Sequence, residues 1–338
     1  MSRQPLVSVI MPFFNAEEYI LSAVESVCQQ TYQNIEIIVV DDASTDSSLG
    51  IVKGIADPRI QIIRNETNLG LAASLNKAIA AASGELIARM DADDICLPQR
   101  LARQVAFLQQ HPSVSVLGTA LQYFQTSRYT NYFPATHEQC RAKLLFNVCF
   151  GHPSLMLRHS VFEHANTGYN EILRQYSEDY DLYERLADHV QFANLREVLV
   201  RYRTFPPPAK QEAESLRKQN SHDIRKRLLK KVGIPESMLD MEAHTRCSNL
   251  TRVSSVAELD SLADWLGVIF HHNQQTNYLL DAALAEALTE QLFFLSYHNP
   301  QVNIRLGRFS HLNYFRPEVL TRHLRLRYWL KKVVHPVR

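Results

Sequence analysis

The sequence has few glycines for its 338 residues, and no two of them fall in G-x-G spacing. That excludes a dinucleotide-binding fingerprint and a kinase-type glycine loop. The patterns G-x-x-x-x-G-K-[ST], G-x-S-x-G and H-E-x-x-H are also missing, so the P-loop, the hydrolase elbow and the zinc-protease helix drop out. Any phosphate must then be held by a cation and basic side chains. The five cysteines (Cys28, Cys96, Cys140, Cys149 and Cys247) never sit in C-x-x-C spacing, which leads us to expect idle thiols in a reducing compartment. No apolar run approaches the ~18 residues that cross a bilayer, and no signal pattern precedes Leu6. A cytoplasmic protein is expected.

Net charge is only +1, but it is unevenly spread. Residues 301–338 hold nine Lys/Arg against the single acid Glu318, a local +8 that leaves about −7 for the rest. In that tail Arg322, Arg325 and Lys332 alternate with Leu324, Leu326, Tyr328, Trp329 and Leu330. A helix over 316–334 would suit an anionic membrane surface, and would equally suit packing on the domain with a solvated basic face. No nucleic-acid partner is expected.

What is present begins with strand–helix alternation. Leu6–Met11, Ile35–Val40, Ile60–Ile63 and Leu86–Met90 read as buried strands, the first ending at Pro12 for want of an N–H. Helical spacing fills the intervals, and Ser83-Gly84 supplies a glycine for a left-handed helix cap. This is the pattern of an α/β fold with a mostly parallel sheet and helices on both faces, whose ligands bind beyond the carboxyl ends of the strands. Further strands are expected at 114–118, 121–124, 154–157 and 197–202, with helices over 98–110, 137–147 and from 177. Phe205-Pro-Pro-Pro208 marks a boundary. The reading is therefore a domain over 1–205, in halves of about 1–118 and 119–205, and a helical region over 206–338.

Three acidic constellations fall at strand or helix ends. Asp91 and Asp93 alternate along an extended segment after a buried strand, so both carboxylates can address one hard cation, Mg²⁺ or Mn²⁺. The plain alternative is a solvated acidic turn. Asp41-Asp42 ends the second strand, where a carboxylate can accept the N–H of a ring imide such as uracil. Ser44 or Asp46 would there cap the next helix. Glu178-Asp179 opens a helix whose dipole favours anions, and a carboxylate facing the cation could take a proton from a hydroxyl. His152, before Pro153, reads as a loop or core histidine as readily as a site residue. Arg201 and Arg203 are either an anion contact or edge-strand charge.

Taken jointly, Val7-Ser-Val-Ile-Met-Pro-Phe-Phe-Asn15, Val40-Asp-Asp-Ala-Ser-Thr-Asp46, Asn68-Leu-Gly70 with Asn76, and Met90-Asp-Ala-Asp-Asp94 resemble the family 2 glycosyltransferases, inverting enzymes of GT-A fold. Gly151-His-Pro-Ser154 and Ser177-Glu-Asp-Tyr180 are similar to later motifs of that family. The resemblance spans about residues 5–205. It implies that Pro12 and Phe14 line a nucleotide pocket that Glu17 helps close, with Phe14 replacing the usual tyrosine. It also implies that Asp42 reads uracil and that Asp91 and Asp93 engage ribose and the diphosphate-bound metal, Asp93 being the direct ligand. Asp179 would be the catalytic base, while His152 and Glu178 would border the acceptor. The implied activity is transfer of one sugar from a nucleotide-diphosphate sugar, UDP-linked by preference, to a glycan or lipid-linked acceptor. The site of action would be the inner face of the plasma membrane. The Q-x-x-R-W motif of processive relatives is absent. Two rivals are a sugar-phosphate nucleotidyltransferase, which should carry a glycine-rich first loop, and a catalytically inactive nucleotide-sugar-binding module.

Overall fold

The computed structural model describes residues 4–162, 168–173, 176–205, 211–298 and 306–320. The chain divides into two compact units, Met1–His137 with Val148–Asn220 and Glu138–Asn147 with Ser221–Arg338.

The first unit opens with β1 (Val7–Phe13), α1 (Ile20–Cys28), β2 (Ile35–Asp41), α2 (Ser48–Lys53), β3 (Ile60–Arg64), α3 (Leu71–Ala81) and β4 (Leu86–Arg89). It continues through β5 (Ile95–Cys96), α4 (Arg100–Gln110), β6 (Val114–Gln125) and β7 (Thr130–Asn131). After α5 (His137–Leu144) come β8 (Met156–Arg158), α6 (Glu178–Leu186) and β9 (Gln191–Thr204). The strands form one sheet in the order β3-β2-β1-β4-β8-β6-β9-β5, with β7 beside β6. β3, β2, β1 and β4 run parallel, β8 is antiparallel to both its neighbours, and β6 and β9 are parallel again. The sheet is thus mixed, its parallel part on the β1–β4 side.

Alternation along β1 builds the two layers. Val7, Val9, Met11 and Phe13 join Ile37 and Val39 of β2, Ile20, Val24 and Val27 of α1, and Leu101, Val105 and Leu108 of α4 in one core. Ile10, Ile38 and Val40 lie buried on the opposite face, where α3 packs against β1 and β2.

Several boundaries differ from the expected ones for identifiable reasons. β1 does not end at Pro12, which pairs in register with Val40. Val7 N–H donates to Asn34 and Phe13 C=O accepts from Asp42, so the odd residues of β1 face β2 and Pro12 faces β4. Pairing with β4 has already ended at Ile10–Arg89, so the missing N–H leaves no partner stranded. Gly84 is not a left-handed cap; only Gly70 and Gly233 have positive φ among the described glycines. Gly84 is instead a close approach, since a Cβ there would meet Ser8 Oγ at 2.5 Å and Leu6 O at 2.9 Å. The two strands expected within 114–124 are one, β6, continuous through register shifts at Thr119–Leu121, and β9 begins six residues earlier than expected. The prolines at 206–208 lie outside the described residues.

The second unit is helical: residues of α5, the end of α7 (Gln211–Lys231), α8 (Met241–Asn249), α9 (Val256–Thr276) and α10 (Asp281–His298). α8, not anticipated, carries the fully buried His244, whose Nε2 lies 2.8 Å from Leu145 O and whose Nδ1 lies 3.3 Å from Trp265 Nε1. Burial pushes that imidazole down to about 3, so it is a neutral core group. No helix among the described residues is long and apolar enough to cross a membrane. Of the basic helix expected over 316–334, Pro317–Val319 is a single 3-10 turn, and everything from 321 onward lies outside the described residues.

Gly84→Ala is expected to destabilise the first unit by about 1–3 kcal/mol, the cost of forcing a methyl into a packed strand crossing. A lowered urea midpoint at unchanged m-value would show it; an unchanged midpoint would mean that β1 and the 82–85 turn can separate freely.

Candidate active site

The loops after β1 and β2 are knitted to each other. Asn15 and Ala43 both adopt left-handed φ, of 49° and 62°, which is uncommon for residues other than glycine and sets the turn each loop makes. Asn15 N–H donates to Ser44 Oγ and its Oδ1 accepts from Thr45 N–H, while Ala16 N–H donates to Ser48 Oγ. Glu17 is part of this seam: its N–H donates to Asp46 and its carboxylate accepts from Ser47 N–H at 2.9 Å. Ser44 therefore ties two loops together instead of capping α2, where Asp46 Oδ1 accepts from Ser48 N–H. Pro12 is buried at the base, and Phe14 stands 46% exposed above it.

Asp41 and Asp42 are both buried but serve different ends. Asp41 Oδ1 accepts from Ser44 N–H, fixing the turn, and its other oxygen lies 3.3 Å from Arg64. Asp42 takes three donors: Asn65 Nδ2 at 2.7 Å and Leu69 N–H at 2.9 Å on Oδ1, and Gly70 N–H at 2.9 Å on Oδ2. Gly70, at φ 91°, opens α3, so Asp42 anchors the start of that helix. A carboxylate offers about four lone-pair sites, which leaves one free on Oδ2.

The carboxylates after β4 form the densest charge cluster. One oxygen from each of Asp91, Asp93 and Asp94 can be chosen so that all three lie within 4.8 Å of one another. β4 delivers them into a buried place, and two guanidiniums answer them. Arg89, 1% exposed, brings Nη1 to 2.6 Å from Asp91 Oδ2, an ion contact at an angle poor for a hydrogen bond. Burial alone would make Arg89 easier to neutralise, but Asp91 beside it keeps it charged. Arg203 donates its backbone N–H to Asp94 Oδ1 and its Nε to the Asp93 carbonyl, both at 2.7 Å. The balance is incomplete. Burial and the Asp91 charge raise Asp93 to about 6 and Asp94 to about 9, and Asp94 Oδ2 has no hydrogen-bond partner among the described residues. Three hard oxygen donors gathered in one place, with Asp93 and Asp94 raised and one buried oxygen unpartnered, fit a divalent cation such as Mg²⁺ or Mn²⁺.

Glu178 and Asp179 arrive from the other side. Ser177, at φ 67°, turns the chain into α6, and Asp179 Oδ1 accepts from Tyr180 N–H at 2.7 Å. Asp181, also in the first turn of α6, pairs with Arg185 at 2.8 Å. Burial, then the neighbouring Asp179, pushes Glu178 up to about 8; burial raises Asp179 as well, against the Tyr180 N–H and the Arg89 charge. Asp91 acts on both acids electrostatically, so the two acidic constellations meet across Arg89. His152 Nδ1 lies 3.8 Å from Glu178 and its Nε2 lies 2.9 Å from the Tyr169 hydroxyl. Burial and Arg89 hold His152 well below its usual value while Glu178 is raised, so this contact is between neutral groups. Asn76 pins the opposing segment, accepting from Tyr169 N–H at 2.7 Å and donating to Tyr169 O at 2.9 Å.

The structure thus brings Asp91, Asp93, Glu178, Asp179 and His152 around one buried cation. Pro12, Phe14, Glu17 and Asp42 sit in the β1 and β2 loops. Sequence reasoning passed over Arg89 and Arg100, and counted Asp94 in the acidic run without giving it a role of its own. Arg100 is fully buried with Nη2 on the carbonyls of Arg89 at 2.7 Å and Leu155 at 3.1 Å, so it staples the end of β4 to β8. The available signal was an arginine inside a strand otherwise apolar, immediately ahead of an acidic run.

The model of Glycosyl transferase family 2 matches residues 8–165. EpsE of Bacillus subtilis (strain 168), named as a glycosyltransferase, is 38% identical over 210 residues, which cover 60% of this chain and 74% of EpsE. The Escherichia coli protein WfgD, a UDP-Glc:alpha-D-GlcNAc-diphosphoundecaprenol beta-1,3-glucosyltransferase, is 35% identical over 146 residues, 43% of this chain and 57% of WfgD. Among solved structures, mannosyltransferase PcManGT from Pyrobaculum calidifontis, in complex with GDP-Man and Mn²⁺, aligns with a TM-score of 0.53 at 17% identity. That alignment covers 98% of this chain and 88% of PcManGT. The shared architecture is the GT-A fold.

Arg89→Ala is expected to cost about 3–5 kcal/mol at pH 8, because it leaves buried carboxylates without their countercharge. The carboxyl pKa values of the folded variant rise, so the loss shrinks as pH falls through them and those groups take protons. Urea unfolding at pH 8 and pH 5 reads both effects, with Arg89→Lys losing less. Equal loss at both pH values would mean that Arg89 matters for packing and not for charge.

Proposed function

The chain belongs to glycosyl transferase family 2, and on that footing we propose that it is a non-processive, inverting glycosyltransferase of cell-surface polysaccharide assembly. It moves one sugar from a nucleotide-diphosphate sugar, UDP-linked by preference, to a hydroxyl of a glycan or lipid-linked acceptor at the inner face of the plasma membrane. The observation that carries this reading is the meeting of the Asp91–Asp94 carboxylates with Glu178 and Asp179 across Arg89.

The geometry is compatible with the following roles. Phe14 offers an exposed ring to the base, and the remaining lone pair of Asp42 can accept an imide N–H. Asp93, with Asp91 and Asp94 beside it, would hold Mg²⁺ or Mn²⁺, which supplies Lewis-acid stabilisation of the charge developing on the departing diphosphate. Asp179 takes the proton of the acceptor hydroxyl as that oxygen bonds to the anomeric carbon. The bond from that carbon to the diphosphate oxygen breaks, the nucleotide diphosphate leaves with the electron pair, and configuration inverts. Burial pushes Glu178 up to about 8 and raises Asp179 as well, but the Tyr180 N–H favours the charged form of Asp179, the acid given the base role here. His152, neutral and held by Tyr169, shapes the acceptor side without adding charge.

Nucleotide release from a panel of UDP-, GDP- and dTDP-sugars with Mn²⁺ tests the reading. Release from one UDP-sugar is expected, with Asp93→Ala abolishing the metal dependence and Asp179→Asn lowering the rate about 10²–10⁴-fold. Glu178→Gln, which mimics the protonated acid, should stay within about threefold of wild type at pH 7. The acid limb of the rate should lie above the ordinary carboxylate range, since Asp179 must be ionised and its pKa is raised. Absence of both turnover and calorimetric UDP binding would overturn the assignment.

A further inference from the structure

The ends of β6 and β9 and the turn between β6 and β7 enclose a groove of about 700 Å³ that none of the roles above uses. Its walls carry Arg128, Arg201 and Arg203 with Tyr123, Phe124 and Tyr129, and no carboxylate is among its lining residues. β9 places Arg201 and Arg203 two residues apart, on one side of the strand. Their guanidiniums both stack on Phe124, each 4.6 Å from the ring centroid. Tyr129 stacks on Tyr123 with centroids 4.3 Å apart, which steadies the turn that carries Arg128. Among the described residues neither Arg128 nor Arg201 has an ion-pair partner. Two guanidiniums without an acid, gathered beside a third that is shared with the carboxylate cluster, repel one another, and their forked donors match phosphoryl oxygens.

Position narrows the ligand. Arg203 is the link: its Nε holds the Asp93 carbonyl, its Nη1 holds Gln125 Oε1 at 2.9 Å, and its guanidinium lies 4.5 Å from the Tyr19 ring on the β1–α1 side. Arg203 is bonded to Asp93 and Asp94 of the carboxylate cluster that would meet a donor diphosphate through a cation, and it also lines the groove that carries Arg128 and Arg201. We infer that this groove binds the diphosphate of the acceptor, with Arg203 shared between it and the donor cluster. The inference rests on the glycosyltransferase reading and specifies its acceptor as a molecule bearing a diphosphate.

Calorimetry on the full chain tests this with Mg²⁺ and saturating UDP, so that the nucleotide site is filled. The probes are inorganic pyrophosphate, farnesyl diphosphate and farnesol, against wild type and an Arg128→Ala/Arg201→Ala double variant. Both side chains are exposed, so the variant should fold, and a thermal melt checks it. We expect both diphosphates to bind wild type, farnesol not to, and the double variant to bind at least tenfold more weakly. Response of farnesyl diphosphate alone would support the site and assign it to a lipid-linked acceptor; equal response of both would support recognition of the diphosphate group itself. Diphosphate binding that the double variant leaves intact, or that UDP abolishes, would overturn the inference. Weakened UDP binding in the double variant would also overturn it, by making the groove part of the donor site. Failure of wild type to bind UDP at all would instead sink the glycosyltransferase reading.

Discussion

The first unit depends on placing positive charge where β4 buries its carboxylates. An apolar strand between two covered faces carries Asp91, Asp93 and Asp94 to its end, and desolvating three such groups would cost several kcal/mol each if nothing answered them. Arg89 answers from within the strand itself, which is possible because strand residues alternate sides and Arg89 leaves the core that Ala88 and Met90 fill. Arg203 answers from β9, through its backbone N–H to Asp94 and its guanidinium to the Asp93 carbonyl. The site is thus bound to the sheet: the pairing of β5 with β9 brings Arg203 beside Asp93 and Asp94, and Arg100 ties β4 to β8 through carbonyls. Disturbing any of these strands disturbs the charge balance.

Much of the parallel part of the sheet was legible because each of its elements carries a local signal. Ile35–Val40 is apolar at every position but Glu36, and the apolar positions of α1 recur at helical spacing, so neighbours along the chain suffice to identify them. The misses are long-range. β6 reads as two strands because its register shifts fall at Thr119–Leu121, where pairing with β9 decides the matter. Gly84 looks like a helix cap until Ser8 is placed against it. α8 has an ordinary composition, and what orders it is His244 packed on Leu145 and Trp265, contacts made 99 and 21 residues away. Within the site, the acids were visible as acids at strand ends. Arg89 was not, because a lone arginine in a strand gains meaning only once Asp91, Glu178 and Asp179 surround it.

The β1 and β2 loops show a second kind of limit. Acids at a strand end suggest a ligand, yet in Asp41 and Asp42 most acceptor capacity is met by the protein: Ser44 for the first, Asn65, Leu69 and Gly70 for the second. These bonds hold the turn and start α3, and they are a condition of any ligand role because they fix where the free lone pair points. Structure and recognition are therefore not competing explanations for Asp42. The same holds for Glu17, whose bonds to Asp46 and Ser47 fix the loop that carries Phe14.

The Glu178–Asp179 pair carries the argument one step further. Two adjacent acids in a buried place cannot both be ionised cheaply, and the pair resolves this by unequal surroundings. Asp179 accepts the Tyr180 N–H, which favours its charge; Glu178 faces a neutral imidazole 3.8 Å away, which does little for an anion. His152 stays neutral first because it is buried and then because the Arg89 charge lies near it. A single fixed charge in β4 therefore bears on all the surrounding groups: Arg89 lies against Asp91, helps to hold His152 neutral, and opposes the rise that burial gives Glu178 and Asp179. Placing that charge on a strand and not on a loop keeps it from drifting as a ligand enters, because Arg89 is held by the sheet and by the Arg100 staple on its own carbonyl.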